Sequence, residues 1–289
     1  MSPILTAALW MSGAIASFSA MAVAGRAVSF ELETFEIMMY RSFIGLAIMI
    51  SLITVTGKWA KISSKNMPLH IMRNSVHFAG QNLWFFAITV IPLAQVFALE
   101  FTSPLWVLVL SPFILGERLT SIRVLAAVLG FIGILIVTRP NPDSLNIGIF
   151  AAALSAVFFA MTTMFTKRLT RSQPTVCILF WLTLIQVVLG VIFSAHDGDI
   201  ALPSIATAPW LVLIGLAGLL AHFCITSALA IAPATVVVPI DFIRLPAIAV
   251  VGMLFYNEPL DGWVLIGALV IFGGNYLNIW SETRKPRSI

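Results

Sequence analysis

Apolar runs of about twenty residues alternate with short polar turns along the whole chain, and a run of that length is what a helix needs to cross ~30 Å of hydrocarbon. The pattern predicts helices over about 4–24, 35–56, 70–90, 93–115, 121–138, 146–166, 175–195, 207–231, 234–256 and 260–280. The turns between them are brief, and none leaves room for a soluble domain. The first run also carries Ala20-Met21-Ala22, which resembles a signal-peptide cleavage site. It lacks a basic leading segment and pairs with the sixth run, so it is expected to stay as a helix.

One stretch organises the rest. Pro92 to Glu117 is apolar, yet it holds Glu100, is interrupted by Pro104 and Pro112, and ends on Gly116-Glu117. A related stretch, Pro233 to Glu258, follows 141 positions later. At that offset Glu100 meets Asp241, Phe101 meets Phe242, Leu119 meets Leu260, Phe131 meets Phe272 and Gly133 meets Gly274. The register predicts two copies of one unit, residues 1–141 and 142–289, with five helices each. Five is odd, so the second copy enters the membrane upside down, about a pseudo-two-fold axis in the membrane plane.

Composition agrees with that class. Of 289 residues 60% are hydrophobic and 10% charged, against about 25% charged in soluble domains. With the N-terminus placed in the cytoplasm, 12 of the 16 Lys and Arg fall in inner loops or the tail. Arg26 and Arg139 lie outside, and Arg41 and Arg244 lie inside helices. Both termini are then cytoplasmic, and the cytoplasmic (inner) membrane is the expected location. The net charge of +4 is explained by loops that meet anionic lipid, with no nucleic acid implied. The loop around Trp59 reads as an interfacial segment. Cys177 and Cys224 sit in apolar runs and read as packing residues. Ala126, Gly130, Gly133, Gly267, Gly273 and Gly274 allow close helix approach, within the chain or at a homodimer face. No hydrolase, phosphate-loop or metal-cluster motif is present, so neither an enzyme nor a cofactor or metal is expected. Without a nucleotide motif, any transport would be driven by gradients.

The candidate chemistry lies in residues that are costly in lipid. Arg41, Glu100, Asp241 and Arg244 each cost at least ~2.5–3.5 kcal/mol at mid-membrane and should face a partner or a wet cavity. Helix rise puts Arg41 and Glu100 at similar depth, about 9–10 Å from the outer face, so they either pair with each other or line the substrate cavity. Asp241 and Arg244 are three apart and predict a second pair. The alternative for Arg244 is capture of a substrate carboxylate by its planar fork. The third helix carries Arg73 or Asn74, His77, Gln81 and Trp84 on one face, where His222, Thr226 and Gln186 could meet them. Tyr40, Trp84, Trp106 and Phe101 are candidate aromatic lining. Pro104, Pro239 and Pro246 are candidate hinges. Glu117 and Glu258 are expected to fix loops at helix ends, and Glu100 and Asp241 are candidate proton carriers.

Several short motifs then resemble one family. Arg41 in R-S-F-I-G-L, P-L-A-x-x-x-A-L-E from Pro92 to Glu100, L-G-E-R-L from Leu115 to Leu119, G-F-I-G-I-L-I-V-x-R-P from Gly130 to Pro140, and N-E-P-L from Asn257 to Leu260 are similar to the drug/metabolite transporter superfamily, EamA type. The resemblance covers nearly the whole chain. It implies an all-α membrane protein of ten helices in inverted five-helix repeats, a central cavity and alternating access for a small metabolite, such as an amino acid. Asn257 stands where the pattern has Gly, and Leu182 stands at the counterpart of Arg41. Export is the expected direction, with proton or exchange coupling. An uptake carrier or exchanger for a carboxylate-bearing or nucleoside-like solute and a non-transporting scaffold are the alternatives.

Overall fold

The computed structural model describes residues 2–91, 93–117, 119–138, 146–196, 200–244, 250 and 262–283, and these form helices, turns and loops. Helix α1 (Pro3–Val28) begins on Ser2, whose hydroxyl accepts the Leu5 N–H. Pro3 sits in the first turn, where a missing N–H costs little. Helix α2 spans Thr34–Val55, and its Glu36 carboxylate reaches back to the Glu33 N–H at 2.9 Å. A short 3-10 turn, Trp59–Lys61, leads to α3 (Met67–Val90), with Trp59 exposed.

The fourth span was expected to be continuous, and it is broken into α4 (Leu93–Glu100) and α5 (Ser103–Ile114). Pro104 has no N–H to return to the Glu100 carbonyl, so the ladder stops at Glu100. Pro112 does not break α5, because the Ser111 hydroxyl donates to the Leu108 carbonyl that Pro112 leaves unsatisfied. Then follow α6 (Ser121–Thr138), α7 (Ile147–Thr170), α8 (Thr175–Ser194) and α9 (Ala208–Ile231). The ninth span starts as one α-turn, α10 (Ala234–Val237), and tightens into a 3-10 segment, Val238–Ile243, with Pro239 in its first turn. Helix α11 covers Gly262–Thr283. Pro246, Glu258, the link from Arg139 to Asp143 and the basic tail lie outside the described residues.

Among the described residues, five helices are long and apolar enough to cross a membrane: Pro3–Gly25, Thr34–Val55, Ile147–Thr170, Thr175–Ser194 and Ala208–Ile231. Ser103–Ile114, Ser121–Ile136 and Ala234–Ile243 are shorter apolar helices. Helix α3 differs, because it buries Arg73, Asn74, His77 and Gln81 against its neighbours.

Packing follows the repeat. Helix α1 lies on α9 as α3 lies on α7, while α2 pairs with α8 and α6 with α11. A two-fold relation between the halves exchanges the first two contacts and maps each of the last two onto itself. Glycines set the self-paired crossings. A Cβ on Gly190 would stand 2.8 Å from the Met39 Cα, and one on Gly133 would stand 2.8 Å from the Gly267 carbonyl oxygen. Gly273 meets nothing within 4 Å.

Polar clasps join the ends. Both carboxylate oxygens of Glu117 accept from the start of α10, from Ala234 N–H at 2.9 Å and Thr235 N–H at 3.2 Å. The first half thus caps a helix of the second, complementing its positive end. Lys167 Nζ donates to the carbonyls of Leu229 and Ala232, closing α9. Glu31, in the loop after α1, accepts from Ser204 N–H at 2.6 Å and from the Ser204 and Thr207 hydroxyls. The Thr207 hydroxyl first, then the Ser204 N–H, hold the Glu31 carboxyl below the usual carboxylate range. Its folded pKa is depressed, so the clasp contributes above the unfolded value and is lost as pH falls through the folded one. Amide hydrogen exchange over 200–207 should therefore speed up on acidification beyond its intrinsic rate change. Glu31→Gln should remove that step, and a wild-type protein without it would dissociate the clasp from Glu31 ionisation.

Candidate functional site

A cavity of about 100 Å³ opens between the two halves. Its wall comes from α1, α3, the α4–α5 break, α7, α9 and the 3-10 segment. Several lining residues are offset partners: Glu100 and Asp241, Phe18 and Phe159, Gln81 and His222, Trp84 and Ile225.

At one end, a single guanidinium holds both repeated carboxylates. Arg244 Nη2 donates to Asp241 Oδ2 at 3.0 Å and to Glu100 Oε1. Glu100 Oε2 accepts the Trp84 indole N–H at 2.7 Å. The Arg244 Cζ also lies 4.9 Å from the Phe101 ring centroid and 5.3 Å from that of Phe18, within cation–π range. Ser103 occupies the offset counterpart of Arg244. Two carboxylates therefore share one arginine, which leaves one negative charge in excess when both are ionised.

The other end is basic. Arg73 is fully buried, donates from Nε to Thr166 Oγ1 at 3.1 Å and from Nη1 to Asn74 Oδ1 at 2.8 Å, and lines the cavity. It meets no carboxylate among the described residues. Arg73 and Trp84 are eleven residues apart on α3, so the two ends lie about 16 Å apart along that helix. Between them, the rings of His77 and His222 meet edge to face at 4.7 Å. Both nitrogens of each ring and Gln81 Oε1 are buried without a protein partner. Buried polar atoms are nearly always satisfied, so this middle section is built to hydrogen-bond a guest.

Placement corrects several sequence expectations. Arg41 does not pair with Glu100. It lies in a small pocket between α2, α8 and α9 that shares His222 with the cavity, and Arg244 takes Glu100 instead. Depth alone does not choose between two arginines that can both reach one carboxylate. The Asp241–Arg244 pair is present, but on a 3-10 segment. His77, Gln81, Trp84, His222 and Pro104 line the cavity, whereas Pro239 is buried beside it. Tyr40 instead donates to the Ala201 carbonyl at 2.7 Å, and Trp106 is 40% exposed on α5. Arg73 counts among the inner-loop cations in the charge tally, yet with Asn74 as the alternative it also stands on the polar face of the expected third helix. The polar stripe through His77, Gln81 and Trp84 was the signal that places it inside. Phe18, Phe159 and the Thr162, Thr163 and Thr166 ladder of α7 were not singled out as lining, because each reads as ordinary helix packing.

The EamA-like transporter family matches the chain twice, over residues 5–139 and 146–280. An S-adenosylmethionine uptake transporter of Rickettsia bellii is 24% identical over 275 residues, covering 95% of this chain and 94% of that protein. A riboflavin transporter of Brucella anthropi is 32% identical over 239 residues, covering 81% and 84%. A pseudopaline exporter of Pseudomonas aeruginosa is 27% identical over 258 residues, covering 88% and 89%. A solved crystal structure of a protein superposes with a TM-score of 0.81 at 19% identity, covering 96% of this chain and 98% of that one. At that identity the likeness is one of fold.

Proposed function

The chain belongs to the EamA-like transporter family, and from that premise we propose that it carries an amphoteric small metabolite across the cytoplasmic membrane, driven by gradients and by alternating access. It is a multi-pass membrane protein, and its relatives are small-metabolite transporters rather than enzymes. The proposed topology is ten spans in two inverted units, 1–141 and 142–289, with both termini cytoplasmic. The reciprocal packing of α1 on α9 and α3 on α7 supports this reading.

The observation that carries the substrate class is the separation of charge along the cavity. An acidic excess at Glu100 and Asp241 faces a cation or a proton, and Arg73 faces an anion. Their separation along α3 disfavours a simple α-amino acid, whose two charges flank one carbon. It favours a longer solute with a polar or ring-bearing middle for Trp84, Phe18, Phe159 and the two histidines. S-adenosylmethionine, named for one relative, is ring-bearing and carries charges of both signs. Uptake and export both occur among the relatives, so the export expected from sequence and the uptake alternative enter the test equally. The break after Glu100 and the 3-10 segment before Arg244 are the proposed hinges.

Purified protein in proteoliposomes should move a labelled amphoteric, ring-bearing solute such as S-adenosylmethionine down an imposed gradient faster than empty vesicles. Loading either side reports direction, and imposing a pH difference reports proton coupling at Glu100 and Asp241. No flux of any amphoteric or ring-bearing metabolite in a broad panel would return the protein to the scaffold reading.

A further inference from the structure

We propose that Arg41, beside the His222 ring that this pocket shares with the transport cavity, forms a second site for a small monovalent inorganic anion of the chloride class. The site is the pocket of about 20 Å³ between α2, α8 and α9. Arg41 is 6% exposed, and its one hydrogen-bond acceptor among the described residues is the Met21 sulfur, 3.7 Å from Nη1. A guanidinium has five N–H donors, and a thioether is a weak acceptor for one of them. No carboxylate among the described residues pairs with Arg41. A buried charge inside a membrane helix is costly without a counter-charge, so the site requires an anion.

The pocket selects the kind of anion. His222 is 5% exposed, lines the pocket, and has no protein partner at either ring nitrogen, so one N–H is available beside Arg41. The other hydroxyls in the wall are committed: Ser42 donates to Met38 O and Thr183 to Leu179 O. Gln186 donates its amide to Asn74 O, leaving an acceptor without a partner. Water could serve that acceptor but would not neutralise Arg41. A space of about 20 Å³ admits one atom-sized guest and is too small for a carboxylate with a carbon chain behind it.

The repeat explains why there is one such site. Helices α2 and α8 form one of the two self-paired contacts, so the offset counterpart of Arg41 faces the same pocket. That counterpart is Leu182. A second arginine there would set two cations against each other, whereas leucine leaves a single cation and an apolar wall. Gly218 leaves the room, since a Cβ there would stand 3.3 Å from Arg41 Nη2.

The test is thermal unfolding of the full chain in detergent, titrated with sodium chloride against sodium gluconate at constant ionic strength. Saturable stabilisation by chloride is expected, with Tm rising by about 2–4 °C at saturation. Arg41→Gln should abolish it. Should that variant fail to fold, Gly218→Ala keeps the charge and should weaken the chloride midpoint at least about tenfold through crowding of the guanidinium. Acetate is the second arm. Stabilisation by acetate but not chloride would overturn the inorganic anion in favour of a carboxylate. No difference between chloride and gluconate, or a chloride response unchanged in both variants, would overturn the site and leave a water in the pocket. The result does not depend on which solute is transported.

Discussion

Arg244→Gln is expected to lower both folded yield and stability sharply and to abolish transport. The change leaves Glu100 and Asp241 facing each other without the shared guanidinium. Breaking a buried ion pair from one side costs about 3–5 kcal/mol, and here two carboxylates lose their partner together. The expected readout is a fall in Tm with loss of monodisperse protein on size-exclusion chromatography. Adding Glu100→Gln removes one of the stranded charges and should restore much of the folded yield but not transport. Arg244→Lys keeps the charge as a compact point and loses the fork, so its Tm should fall in between. An Arg244→Gln protein that unfolds at the wild-type temperature would refute the shared clamp. This expectation differs from the one the sequence supports by itself, where Arg244 has donors to spare for a substrate carboxylate. Its charge is instead overmatched by its own neighbours.

Arg73→Gln is expected to raise KM for carboxylate-bearing solutes by roughly 10- to 150-fold, equivalent to the 1.5–3 kcal/mol of a hydrogen bond to a charged group. Arg73 has two mapped partners, Thr166 and Asn74, both neutral. Losing it strands no carboxylate among the described residues, so Tm should hold while transport weakens. Transport of a carboxylate-free analogue, such as a methyl ester, should change little. Equal loss for acid and ester would show that Arg73 shapes the cavity and does not read the anion. Competition assays in proteoliposomes, comparing each acid with its ester, separate the two outcomes.

The correspondence of Glu100 with Asp241 was visible in the sequence because a repeat keeps register without a structure. Their common partner was not visible. Arg41 and Arg244 both lie within helices at plausible depth, and only the packing of the 3-10 segment against the α4–α5 break brings Arg244 to Glu100. Arg73 shows the same limit from the other side. The charge tally places it with the inner-loop cations although the expected third helix already includes it, and only the packing of α3 against its neighbours shows that it is buried at the cavity.

The sequence by itself determined the class, the repeat and where most of the described helices lie, but not the breaks in the fourth and ninth. Those follow from local properties: twenty-residue apolar length, prolines that remove a backbone donor, and a constant offset between copies. Tertiary structure decided which charges meet. In a medium without water, a buried ion is stabilised by whatever partner the packing brings within about 3 Å, and that distance depends on helices far apart in the chain. The polarity of the cavity, acidic at Arg244 and basic at Arg73, is therefore a property of the packing of α3, the α4–α5 break, α7 and the 3-10 segment, and the placing of Arg41 one of α2, α8 and α9; neither could be read from any one element.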